Sequence, residues 1–119
     1  MEKEALNKWG DGDPSGFLNI SDPDVVYFDP MTPKRIDGLT ALTELYEKLK
    51  GKIHVDYYKM LNPKVQLGKD MAVLTYNLIS HSSKGKSIAW NCTEVYKLNS
   101  NNKLRIIQTH WSLTGHKLN

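Results

Sequence analysis

The apolar residues of this chain change their period once, and the change divides it. Up to Gly51 they recur every three or four residues, as on one side of a helix; beyond it they alternate, as along a strand. Ala5, Leu6 and Trp9 predict a short helix over Glu2 to Trp9, stopped by Gly10 and Asp11-Gly12. Asp13 is placed to accept the free amides of a second short helix with Pro14 at its first position. Phe17, Leu18 and Ile20 form its apolar side, and Ser21-Asp22-Pro23-Asp24 is expected to end it. Val25 to Asp29, β-branched and aromatic and closed by Pro30, predicts a short strand. Leu39, Leu42, Leu45, Tyr46 and Leu49 mark the longest helix, entered from Asp37-Gly38 and left at Gly51.

After Gly51 four strands are expected: Lys52 to Leu61, Met71 to His81, Lys86 to Leu98 and Lys103 to Thr114. Turn chemistry separates them at Asn62-Pro63, Gly68-Lys69-Asp70, Ser82 to Gly85 and Asn99 to Asn102, with Lys64 to Gly68 as a possible extension or bulge of the first. Helices first and hairpins afterwards is the order of an α+β fold in which an antiparallel sheet wraps a helix. The alternation also selects an inner face: Ala72, Leu74, Tyr76 and Leu78 in one strand, and Ile88, Trp90, Cys92, Glu94, Tyr96 and Leu98 in the next. In the last strand Ile107, Thr109, Trp111 and Leu113 oppose Leu104, Ile106, Gln108, His110 and Ser112, so both faces are expected to be partly covered.

Composition narrows the function classes. The chain has 119 residues, 39% hydrophobic and 24% charged, which suits one domain (1-119) with its own core. No apolar run approaches the ~20 residues of a spanning helix, so no membrane role is expected. Met1 to Lys8 alternates acids and bases, unlike a secretory signal, and a cytoplasmic location is expected. The net charge of +3 is scattered, which argues against nucleic acid. A lone cysteine, Cys92, precludes an internal disulfide, and His54, His81, His110 and His116 lack ligand spacing, so neither metal nor cofactor is expected.

Several separated motifs then agree with a known family. Ala5-Leu6-Asn7-Lys8-Trp9-Gly10-Asp11-Gly12-Asp13-Pro14, Asp22-Pro23-Asp24-Val25-Val26-Tyr27-Phe28-Asp29-Pro30 and Ile36-Asp37-Gly38-Leu39, with the ending Ile106-Ile107-Gln108-Thr109-His110-Trp111-Ser112, resemble SnoaL-like members of the nuclear-transport-factor-2-like superfamily. The nearest branch is the one containing the association domain of calmodulin-dependent kinase. The resemblance spans nearly the whole chain and implies a cone: a strongly curved antiparallel sheet around a long helix, with short N-terminal helices. Where that branch carries pocket arginines this sequence aligns Leu78, Glu94 and Trp111, and it has no kinase catalytic motif. The scaffold serves isomerases, cyclases, dehydratases and assembly domains alike, so it does not select a chemistry.

The residues offer candidates. Glu94, flanked at two-residue spacing by Trp90, Cys92, Tyr96 and Leu98, is expected to be desolvated, which raises a carboxyl pKa toward a useful general acid or base. The alternative is a glutamate satisfied by a buried hydroxyl or by Arg105. Asp29, where the resembling family commonly has an acid, would pair with Glu94 in one cavity and push their protonation states apart, or else merely bond its turn. Trp9, Tyr27, Tyr76, Leu78, Trp90, Cys92 and Trp111 are the expected ligand-binding wall, the alternative being a filled core. Cys92 is read as a small apolar filler of that wall, and His110 falls on the opposite face, as an interface or structural residue. Two functions stay open. One is a small-molecule pocket, in enzymatic form a lyase or isomerase with Glu94 or Asp29 as base and Tyr76 or Tyr27 as donor. The other is a non-catalytic binding or assembly module, a homodimer through the outer face carrying Thr75, Asn77, Ile79, Asn91, Thr93, Val95 and His110.

Overall fold

The structure, a computed structural model, describes residues 1–52, 55–82 and 85–115, so His54 and His116 lie outside the described residues. The order is α1 (Glu2–Gly10), α2 (Ser15–Asn19), β1 (Ser21–Phe28), β2 (Ile36–Asp37), α3 (Leu39–Leu49), β3 (Tyr57–Leu67), β4 (Met71–His81), β5 (Ser87–Leu98) and β6 (Leu104–Leu113). The strands form one curved sheet in the order β2-β1-β6-β5-β4-β3, wrapped around α3 in the α+β cone. Its ladders are antiparallel except β1 with β6, which run parallel because the chain passes through β2, α3 and three strands before returning beside β1.

The helices begin and end where backbone chemistry requires. Asp13 Oδ1 accepts the Ser15 amide at 3.0 Å, as expected, but α2 starts one residue later than predicted, with Pro14 as its N-cap. Gly51 takes a φ of +76° beyond α3, a conformation costly for other residues. Leu42 and Tyr46 carry α3 into the core with Val25, Tyr27, Tyr96 and Ile106. Gly10 is small for a packing reason, since a Cβ there would lie 3.0 Å from the Val55 carbonyl oxygen, whose residue donates its amide to Gly10 O at 2.9 Å.

Three local readings are corrected. The first strand begins at Ser21, not at Val25, with α2 already ended at Asn19. The register with β6 shifts between Ser21 and Val26, because Pro23 has no amide to give and Asp22 Oδ2 holds the Asp24 amide. Of the two readings at Asn62-Pro63 the turn fails and the bulged extension holds: β3 continues to Leu67 through a register shift, with Asn62 at φ +50°. In β6 a bulge falls between the Val95–Gln108 and Tyr96–Ile106 pairs, leaving Ile107 unpaired and turning Ile106, rather than Ile107, into the core at 0% exposure. Inner Thr109 and outer His110 keep the faces expected for them.

Candidate functional site

The inner face closes around a cavity of about 450 Å³. Its walls come from four directions: Leu6 and Trp9 of α1, Tyr46 and Leu49 of α3, Tyr27 of β1, and Leu78, Trp90 and Trp111 of the sheet. The rings meet edge to face, Trp9 with Tyr46 at 5.0 Å, Tyr27 with Tyr46 at 5.6 Å and Trp90 with Trp111 at 5.9 Å between centroids, the arrangement ring quadrupoles favour. Polar groups are few. Ser80, His81 and Lys86 stand on one side, Asp29 on another, and the Trp90 indole N–H is spent on Ser80 Oγ at 3.1 Å.

Asp29 is oriented from both sides. Its Oδ1 accepts the amides of Met31 at 2.7 Å and Thr32 at 2.9 Å, and its Oδ2 accepts the Tyr27 hydroxyl at 2.8 Å. Turn-bonding and cavity roles, weighed as alternatives from sequence, therefore coexist in one carboxylate. Tyr46 stands beside Tyr27, ring edge to ring face. Burial, chiefly, pushes both phenols well above their ordinary range, so each remains a proton-bearing donor at any working pH.

Beneath this cavity lies a second polar cluster. Glu94 is fully buried, and its Oε1 accepts the Cys92 thiol at 3.8 Å while Oε2 has no hydrogen-bond partner. Arg105 does not reach it, bonding instead the Leu104 carbonyl. The group that comes to Glu94 is another acid, Glu2 of α1, whose oxygens accept the hydroxyls of Tyr76 at 2.6 Å and Tyr96 at 2.5 Å. Burial, and next the neighbouring Glu2, hold Glu94 well above the usual carboxyl range. Burial also raises Glu2, offset in part by its two phenol donors. Donor atoms of Glu2, Cys92 and Glu94 fall within 4.8 Å of one another. Yet burial drives the thiol upward and both Glu2 oxygens are already taken by phenols, so the cluster suits protons better than a cation.

Of the residues expected at the site, Trp9, Tyr27, Asp29, Leu78, Trp90 and Trp111 line the cavity. Tyr76, Cys92 and Glu94 share the inner face but lie below it. The Tyr76 ring meets Trp111 edge-on at 6.0 Å and turns its hydroxyl away, to Glu2. Asp29 and Glu94 are thus not brought together in one cavity; the acid facing Glu94 comes from α1. Sequence reading passed over Glu2, although its signal was there. Glu2, Ala5, Leu6 and Trp9 stand at i, i+3, i+4 and i+7, so Glu2 shares the inward stripe. Tyr46 was read only as a core position of α3.

No protein-family model and no curated protein matches the sequence. Solved structures do. A candidate ketosteroid isomerase from Parabacteroides distasonis is 46% identical, over 96% of this chain and 83% of that one, with a TM-score of 0.87. A nuclear-transport-factor-2-like protein of unknown function from Pseudomonas putida matches at 18% identity over 93% of this chain and 80% of its own, TM-score 0.83. The calmodulin-dependent kinase II hub of S. rosetta matches at 19% over 95% and 91%, TM-score 0.73.

Proposed function

The chain belongs to the ketosteroid-isomerase-like proteins of the nuclear-transport-factor-2-like superfamily, and we propose that it is a small-molecule pocket protein in which Asp29 moves a proton on a flat, apolar ligand. The observation that carries this reading is the Asp29 carboxylate, fixed by two amides and the Tyr27 hydroxyl in the wall of an aromatic cavity. A base must stand within reach of the ligand and hold a fixed direction, and such a carboxylate meets both conditions. Apolar rings on the other walls take up the body of the ligand by burial and stacking. Tyr27 spends its proton on Asp29 Oδ2 and so aims the base, while Tyr46 keeps its own as a donor to a developing oxyanion. Of the carboxyls read from the sequence, Asp29 is the one assigned to the reaction; Glu94 and Tyr76, below the cavity, support the floor.

The test uses a ketosteroid, the compound class in the name of the 46% identical relative. Isomerisation, or protein-dependent exchange of the protons beside its carbonyl, is expected. Asp29→Asn should lower the rate by at least a hundredfold with little change in binding, the usual scale for a general base. Binding without any exchange in the native protein would leave a carrier and remove the catalytic claim.

A second reading rests on the outer sheet face, where Val73, Thr75, Ile79, Thr93 and Val95 are half-buried around an Asn77–Asn91–Ser112 hydrogen-bond ladder. Such a face suits a homodimer, in a non-catalytic or catalytic protein alike. Sedimentation at low micromolar concentration is expected to give a dimer; a clean monomer sinks this part.

A further inference from the structure

Two buried acids meet where α1 joins the sheet, and no side-chain cation meets them. Glu94 cannot leave, being in the middle of β5; Glu2 can, being in the first turn of a helix. The titratable groups acting on the pair come from every element around it: the Met1 amino group beside α1, Tyr46 from α3, Tyr58 from β3, Tyr76 from β4, and Cys92 and Tyr96 from β5. Among the described residues, no Lys, Arg or His is part of this set.

The two ends of α1 are held differently. At its C-terminal end the backbone is tied down, Val55 N to Gly10 O and Gly51 N to Gly12 O, both at 2.9 Å. Its N-terminal half is held by the Glu2 carboxylate on Tyr76 and Tyr96, the Tyr58 hydroxyl on Lys3 O at 3.3 Å, and the packing of Ala5 on Gly16. Between the ends stand Leu6 and Trp9, which wall the cavity.

We propose that Glu2 and Glu94 together hold one proton, and that this proton latches α1 to the sheet, so that the cavity wall formed by Leu6 and Trp9 swings open when the proton leaves. The environments divide the roles. Two phenols stabilise the charge on Glu2, whereas Glu94, with the Thr109 hydroxyl and the Cys92 thiol near it, is kept neutral by burial. Loss of the proton sets two negative charges side by side in a dry core, and the pair relaxes by releasing Glu2 to water about the tied Gly10 to Gly12 end. The latch is independent of any role for Asp29, because it needs neither ligand nor reaction.

Hydrogen exchange of the α1 amides between pH 5 and 10, corrected for intrinsic rates, tests the latch in the unliganded protein. Once the pair begins to lose its proton, α1 protection is expected to fall tenfold per pH unit, the slope of a single proton. The Trp9 indole resonance should move with the same midpoint, while protection of Cys92 to Tyr96 stays constant. Glu94→Gln keeps a neutral donor beside an ionised Glu2, and its α1 protection should be level across the range. Equal α1 protection in the native protein at pH 5 and pH 10 overturns the proposal. So does an unmoved Trp9 indole, or the same fall in the variant. Should the variant fail to fold, carbon-13 titration of the native carboxyls decides: one of the pair neutral at pH 7 is expected, and both ionised there overturns it.

Discussion

Glu94→Gln should remove a loss of global stability with rising pH, and the sign of the effect follows from the burial of a single carboxyl. Glu94 is at 0% exposure and burial raises its pKa, so its folded value lies above the unfolded value of about 4.3. Between those two values the native state holds a proton that the unfolded chain has released. The contribution of the group is therefore full below about pH 4 and is lost as pH rises toward the folded value. One proton corresponds to about 1.4 kcal/mol per pH unit, so between the unfolded and folded values the native protein should lose stability at up to that slope relative to a variant that cannot titrate. Glutamine preserves the volume and a donor, so the two proteins should be close at pH 5 and the variant more stable at pH 7. Urea unfolding at both pH values measures this, with an unchanged m-value showing that only stability has moved. Groups remote from Glu94 titrate in both proteins and cancel in the difference. A difference that stays constant between pH 5 and pH 7, or grows the other way, refutes a neutral buried Glu94.

The bulge in β6 makes neighbouring isoleucines unequal: Ile106→Ala, which empties a fully buried site, should cost about 3 kcal/mol and Ile107→Ala about 1 kcal/mol, measured by urea unfolding. Equal costs would mean that the register was misassigned. Gly16→Val places a Cβ 2.9 Å from the Ala5 Cα, so it should destabilise by about 2 kcal/mol and lower α1 protection in hydrogen exchange more than that of β5. A neutral outcome would show that α1 is not packed closely on α2.

What the sequence made legible, and what it did not, follows from how many residues repeat each signal. The heptad-like run from Leu39 to Leu49 and the alternation in β4 and β5 each repeat over several positions, and they predicted those elements nearly to their ends. A bulge is one residue that breaks the repeat, and nothing in Ile106-Ile107 says which isoleucine turns inward; the ladder to β5 decides it. The site divides the same way. Alternation alone placed Glu94 on the inner face, and helical spacing alone would have placed Glu2 there, but their meeting spans the chain from its first turn to its fifth strand. Alternation likewise could not separate cavity wall from cavity floor, since Tyr76, Leu78, Trp90 and Cys92 all face inward and differ only in depth along the cone. One rule does carry over from the structure to sequence reading. An acid on the inward stripe of a helix and another in the inward row of a strand, with no inward Lys or Arg to serve either, favour a proton held between them. When inward tyrosines stand beside them, as Tyr76 and Tyr96 do here, the acid that receives the hydroxyls keeps the charge and the other keeps the proton. For Glu2 and Glu94 that division turns two positions unremarkable in isolation into a latch at the end of α1 opposite its tied end.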